Sequence, residues 1–560
     1  MAERPCQDGV CGSLRLLGRV HSFALAAAVA LGVFSSACTK VDTTSSSSGH
    51  AVTHSWTVPG VARLAVEEEP NSLIRMFSNQ SSADDVTALL FEPLFRYDER
   101  GRPVPALALR MPSMSNGLIS RDGLRVTFEL RPNAVWSDGV PVTSRDVIFT
   151  WHAIMSGANP VVSSAGYDQI KDVVADGPHR VTLVLKQPFA PSVYLFSEGS
   201  FPPLPAHLLG SLHSIYGIPY DSAPIGDGPF VLKRWLHGSN LIFAANPRYW
   251  RGPPKLTEID MKVVPNPTTQ LNELRSHEID LIDGVSKPLV AQLTDIPGID
   301  VQRQLQANYR HLDFDLRRPL LRDVAVRRAI ARAIDVPEII DTVYAGLGVQ
   351  ASTDIPPFSW AAPDLAPIPH DPAAARRILD ADGWRVGPDG IRMKDGQRLA
   401  LSISSTTDNR PNESAEALMV DELKAVGIDL SIKNYAGTVL FAEDGPLYGD
   451  RYDMSWIIDF NGADPDNLAK WGCQYFPPHG ANTDFYCNPT VDRLLRDAQR
   501  TYDQAARRRD YERAWRILLD EVPAEIIYWN KVVTAANADF RNFKPSPLVT
   551  DYWNAWEWEI

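Results

Sequence analysis

Hydrophobic positions recur along this chain in two alternating rhythms, one of period two and one near 3.6, and the alternation predicts an α/β architecture. In residues 123–130 (GLRVTFEL) the apolar positions are Leu124, Val126, Phe128 and Leu130, the pattern of a half-buried strand. After the turn Trp136-Ser137-Asp138-Gly139, Thr143-Ser144-Arg145-Asp146 opens a helix. The Thr143 hydroxyl is placed to cap an early backbone N–H, and Asp146 stands at the capping-box spacing. Val147, Trp151 and Ile154 then fall on one helix face. Residues 179–185 (HRVTLVL) form a second alternating strand. LIFAA (241–245) and EIDMKVV (258–264) are two more, separated by Asn246-Pro247 and Gly252-Pro253-Pro254 turns.

The second half reads as more helical. Residues 323–334 (DVAVRRAIARAI) put Val326, Ile330 and Ile334 on one side and Arg327, Arg328 and Arg332 mostly on the other. Asp335 caps a fresh helix that Gly346 ends, and Asp371-Pro372 starts another that closes at Gly383. A strand at 399–403, a helix at 414–426, a strand at 428–432 and a helical stretch at 489–522 follow. The Trp-rich end, 552–560, reads as a terminal strand returning to the sheet. There are no internal repeats.

The N-terminus has a different character. Arg15 and Arg19 precede an apolar run at 23–34 (FALAAAVALGVF), followed by Ser35-Ser36-Ala37-Cys38. A basic start, a short apolar stretch and small residues describe an export signal over 1–37. The run is too short to span a bilayer comfortably. Ser-Ser-Ala-Cys resembles the lipobox of bacterial lipoproteins, with Ser35 where Leu is usual, so Cys38 is the expected lipidation site. Residues 38–57 are small, polar and aperiodic, as a flexible tether is.

Length and composition fit this picture. The chain has 560 residues, 44% of them hydrophobic, enough for two or three domains. A formal net charge of −13 argues against nucleic acid or an anionic membrane surface as the main partner. Of the five cysteines, Cys6 and Cys11 lie in the leader and Cys38 takes lipid. Cys473 and Cys487 remain, and in an oxidising compartment they are expected to form one disulfide, a closure that contributes about 3 kcal/mol. No Cys/His grouping points to a metal, and no cofactor is expected.

Several ordered phrases resemble the bacterial extracellular solute-binding proteins of family 5, the dipeptide- and oligopeptide-binding receptors. Residues 128–151 (FELRPNAVWSDGVPVTSRDVIFTW) are similar to the family signature, and 90–108 (LFEPLFRYDERGRPVPALA) to the segment preceding it. Residues 224–249 match a P-x-G-x-G-P…N-P-x-Y-W pattern, with Asp227 and Phe230 in place of the usual Thr and Tyr. Residues 323–335 and 371–383 carry two more family phrases, so the resemblance runs from about residue 60 to the end.

The resemblance implies a two-lobed periplasmic-binding-protein fold of the cluster C type. Lobe one would comprise 58–312 completed by 526–560, with an extra subdomain at about 95–205, and lobe two 313–525. The hinge would lie near 311–315 and 525–530. It also implies a monomeric receptor outside the cytoplasm that hands a solute to an ABC permease and its ATPase.

A peptide presents an ammonium and a carboxylate, and each needs a buried partner of opposite charge. The resemblance points to Asp459 for the ammonium, in YDMSWIIDFNGADPDN (452–467). The spacing to Asp464 is longer than in the family, which leaves Asp464 as the alternative. Arg410, in TTDNRP (406–411), is similar to the family's carboxylate-binding Arg. Trp456 and Trp471 flank the acidic segment as candidate pocket walls. The same scaffold also carries oligosaccharides, opines, nickel complexes and haem. A secreted hydrolase is the rival class, but the chain has no Gly-x-Ser-x-Gly elbow, no His-Glu-x-x-His helix and no Walker loop.

Overall fold

Ile299–Phe314 and Ala524–Asn537 are the longest strands of the structure, a computed structural model that describes residues 54–407, 409–449 and 451–560. The expected signal peptide, Cys38 and nearly all of the tether lie outside the described residues. The two strands pair antiparallel, and the second (AEIIYWNKVVTAAN) is rich in the β-branched and aromatic residues that fit a pleated surface. They form the middle of one 11-stranded sheet.

On one side the order continues through Leu281–Ile282, Val61–Val66, Glu258–Val263, Asn240–Ala245 and Phe230–Leu236. On the other it continues through Met454–Phe460, Ala400–Ser404 and Asp429–Ile432. Gly348–Gln350 pairs with Ala524–Asn537 off this path. The two connecting strands lose register between Leu305 and Tyr309, where Leu305 faces Lys531 and Tyr309 faces Trp529. Extra residues on one strand form a bulge, a local bend in the ladder.

Each side has its own core. The first gathers Leu64, Phe91, Phe128, Trp136, Phe243 and Trp558. The second gathers Leu312, Ile330, Leu401, Met419 and Trp456, beside a third cluster around Trp471, Leu494 and Trp515. A separate three-stranded sheet, with Arg180–Leu185 between Arg125–Glu129 and Ile170–Ala175, packs into the first core.

Local chemistry sets the helix starts. Thr143 accepts from the Arg145 N–H while Asp146 accepts from the Thr143 N–H, completing the expected capping box for Ser144–Met155. Asn266, Asp371 and Asn488 each cap a helix whose next residue is Pro, where the missing N–H costs nothing.

The structure departs from the sequence reading at three places. The helix expected from Ser414 begins at Arg410, because Asn409 caps it by accepting from the Asn412 N–H. Residues 552–560 form turns and a short 3₁₀ segment, Ala555–Glu557, in place of a strand; Tyr552 and Trp558 anchor them in the first core. Arg327 is buried, not solvated. Its guanidinium donates to the Glu521 and Val522 carbonyls and so satisfies the end of helix Gln504–Glu521.

The phrase around Gly226-Asp227-Gly228 has a packing cause. A Cβ on Gly226 would sit 1.8 Å from the Leu90 carbonyl oxygen, and one on Gly228 2.5 Å from the Leu90 carbonyl carbon. Gly228 N–H donates to Leu90 O at 2.9 Å, and Asp227 accepts from the Glu92 N–H at 2.9 Å. Glu92 in turn takes hydrogen bonds from Tyr249 Oη, Trp250 Nε1 and the buried Arg96. Two widely separated phrases, 90–108 and 224–249, thus meet at the end of helix Ser81–Leu90. Gly226→Ala is expected to lose about 1–3 kcal/mol or more of stability through this overlap, read as a lower melting temperature; an unchanged melting curve contradicts the assignment.

Candidate ligand-binding site

The cleft between the two sides of the sheet is the place where both lobes present side chains to a common space. Its volume is about 900 Å³, within the ~300–1,000 Å³ typical of small-molecule sites. Val66–Glu68, the start of helix Ser81–Leu90, Asp283-Gly284 and Leu548–Asp551 form one wall. Gln306 and Asn308 come from the bulge of the first connecting strand, and Ile458, Asp459 and Phe460 from the strand paired with it.

Asp459 ends a chain of charges that runs into the protein. Its Oδ2 lies 3.3 Å from His311 Nε2, and its side chain keeps 41% exposure. His311 Nδ1 lies 2.6 Å from Asp313 Oδ1, and Lys470 Nζ donates to both Asp313 oxygens at 3.0 and 3.1 Å. Thr483 Oγ1 donates to Asp313, and Asp484 lies 3.1 Å from Lys470. Register explains the alignment: His311 and Asp313 share a face of the first connecting strand, which pairs with the strand carrying Asp459.

Burial opposes a charge on His311, but Asp313 and Asp459 overcome it and push the imidazole up to about 9. Burial also works against the Asp459 charge, and the neighbouring His311 cation holds that carboxyl below its ordinary value. Asp459 is therefore a fixed anion with a free face toward the cleft.

The rest of the lining is rich in acids. Glu67, Glu68, Asp84, Asp85, Asp283 and Asp551 line it, against the single cation Arg75 among the lining residues. Arg75 is already paired with Asp84. Thr550 Oγ1 donates to Asp85 at 2.6 Å, and Thr534 Oγ1 donates to Asp283 at 3.4 Å. Burial raises all three of Asp85, Asp283 and Asp551, reinforced for Asp85 and Asp551 by the charge of Asp283. Asp551 is 3% exposed and its Oδ1 has no hydrogen-bond partner among the described residues.

The other sequence candidates lie elsewhere. Both Asp464 oxygens are held by Arg507 in a buried two-pronged pair, which leaves them no room for an ammonium. Trp456 and Trp471 are fully buried core residues, their Nε1 atoms bonded to Tyr344 and Asp354. Arg410 is exposed at the first turn of its helix and does not line the cleft. Cys473 and Cys487 are disulfide-bonded, with Cα atoms 4.6 Å apart, outside the cleft. Sequence reasoning missed Asp85, Asp283 and Asp551, which come together only through the fold.

The model of the bacterial extracellular solute-binding proteins, family 5, matches residues 102–475. This chain belongs to that family. It is a solute-binding protein and not an enzyme, with the family's two-lobed α/β fold. Protein XP55 of Streptomyces lividans is 27% identical over 467 residues, covering 81% of this chain and 81% of that protein. The probable D,D-dipeptide-binding periplasmic protein DdpA of Escherichia coli is 27% identical over 444 residues, 78% of this chain and 82% of its own. Among solved structures, the oligopeptide-binding protein AppA of Bacillus subtilis with a nonapeptide has a TM-score of 0.73 at 23% identity, covering 90% of this chain and 99% of that one. NikZ of Campylobacter jejuni with Ni(L-His) has a TM-score of 0.77 at 24% identity, covering 90% and 100%. No helix of the described residues is long and apolar enough to cross a membrane.

The His311 charge gives a prediction with a definite sign. Its pKa is raised on folding, so its contribution is fully present below the ordinary histidine value of about 6.5 and is lost as pH rises through about 9. The wild-type melting temperature should therefore fall between those pH values, and His311→Gln, less stable at the lower pH, should fall less. Equal slopes in the two proteins contradict a protonated His311.

Proposed function

We propose that this chain is the substrate-binding lipoprotein of an ABC importer, and that it captures a short peptide between its lobes and delivers it to the permease and ATPase. The observation that carries this reading is Asp459, a charge-fixed carboxylate with an open face in the interlobe cleft. An ammonium there would meet an anion already oriented by His311, the charge-assisted form of hydrogen bond. The peptide-binding names of DdpA and AppA support the same ligand class.

The domain division follows the same scheme: lobe one at 58–312 and 526–560, an extra subdomain at about 95–205, and lobe two at 313–525. Closure would bring the Asp459 wall toward the acidic wall about the connecting strands, because a ligand touching both lobes favours the closed state. The register break between Leu305 and Tyr309 is where those strands can bend most cheaply. Arg410 leaves this reading: it does not line the cleft, so the peptide carboxylate is not assigned to it. Lipidation at Cys38 would keep the receptor beside its permease outside the cytoplasm and raise its effective concentration there.

Asp459→Ala is expected to weaken binding of di- to pentapeptides by about 10–100-fold, the value of one charged hydrogen bond, with the melting curve of the empty protein still cooperative. Titration calorimetry on both proteins reads this, and equal affinities remove Asp459 from the site. In the native host, Cys38→Ser should move the protein from the membrane to the soluble extracytoplasmic fraction; retention on the membrane contradicts a lipid anchor.

A further inference from the structure

Asp85, Asp283 and Asp551 line the same cleft as Asp459, and the fold brings them from three distant places. Asp85 comes from helix Ser81–Leu90, Asp283 from the end of strand Leu281–Ile282, and Asp551 from the C-terminal segment. Among the described residues no ion pair of the three with a cation is seen, and Arg75, the one guanidinium of the described cleft lining, is engaged by Asp84. Asp85 accepts from Thr550 and Asp283 from Thr534. Asp551 Oδ1 is buried and without a partner. A buried carboxyl oxygen left bare costs free energy, and a cationic ligand group reaching this side of the cleft would supply the missing bond.

We infer that the solute carries two organic cations, an ammonium taken by Asp459 from one lobe and a second cationic group taken by the Asp283–Asp551 pair and Asp85 from the other. The second group is the side chain of a lysine or arginine in a basic peptide, or the far amine of a polyamine. An organic cation fits better than a metal ion, because no group of three or more His, Cys, Asp or Glu among the described residues could hold one. The inference rests on the cleft being the solute site, and it narrows the peptide reading to peptides with a basic side chain.

Proton linkage gives a second signature. Burial keeps Asp85, Asp283 and Asp551 more protonated than ordinary carboxyls. The groups facing them are Arg75, Asp84, Glu198 and Tyr552, with Thr534 and Thr550. A cation arriving at this wall lowers those pKa values and expels protons, whereas a neutral side chain does not.

The test is titration calorimetry of the purified protein at low ionic strength with Ala-Ala-Ala, Ala-Lys-Ala, Ala-Glu-Ala and spermidine, each in two buffers of different ionisation enthalpy. Ala-Lys-Ala should bind at least about ten-fold tighter than Ala-Ala-Ala, with proton release that Ala-Ala-Ala lacks, and Ala-Glu-Ala should bind most weakly. In Asp283→Asn/Asp551→Asn, a near-isosteric change, the ratio of the lysine to the alanine peptide should collapse toward one. Equal affinities for the three peptides overturn the inference while leaving the peptide reading intact. Tight spermidine binding with no peptide binding upholds the inference and overturns the peptide reading. Failure of every probe overturns both.

Discussion

The antiparallel pairing of Ile299–Phe314 with Ala524–Asn537 is the constraint on which this molecule depends. It joins two independently packed cores into one sheet, and the chain crosses between them in both directions along it. Because sheet geometry fixes which residues share a face, that pairing also positions the chemistry. His311 and Asp313 point inward to Lys470, and the neighbouring strand delivers Asp459 to the open end of the same charge chain. The break in register beside it contributes Gln306 and Asn308 to the cleft.

The two walls of the cleft use carboxyls in different ways. Asp459 is kept ionised by a buried histidine cation, so it offers a permanent charge. Burial, and for Asp85 and Asp551 the charge of Asp283, raises the Asp85, Asp283 and Asp551 carboxyls above their ordinary values, so a cation arriving there would favour their charged forms. One wall attracts and orients a cationic group, and the other responds to it. In a closed, water-poor cleft both effects strengthen, since charges interact more strongly as the local dielectric falls.

Much of the scaffold was legible in the sequence, for reasons the structure makes plain. Thr143 and Asp146 are local cap chemistry, and Asp335, Asp371 and Gly383 mark helix ends whose signals lie within a few residues. The family phrases were equally readable, and their cause is packing: Gly226, Gly228, Glu92, Tyr249 and Trp250 lock around the end of one helix and touch no cleft. The candidate site was less legible. Asp459, the resemblance's candidate for the ammonium, lines the cleft. Asp464 carries the same kind of side chain five positions on, yet Arg507, far along the chain, takes it out of play. Trp456, Trp471 and Arg410 failed for a similar reason, since burial and exposure are decided by tertiary neighbours. The acidic wall had no local signal at all, because its three aspartates are brought together only by the return of the C-terminus to the first lobe.

The central claim is that the interlobe cleft holds a short peptide gripped at Asp459. Mass spectrometry of the solute that copurifies with the protein from its native host tests this most directly, with the Asp459→Ala protein prepared alongside. The account predicts one or more short peptides released from the wild-type protein on denaturation and strongly depleted from the variant. A sugar, an opine, a metal chelate or haem in the wild-type sample, or the same peptides at the same occupancy in both proteins, would contradict it.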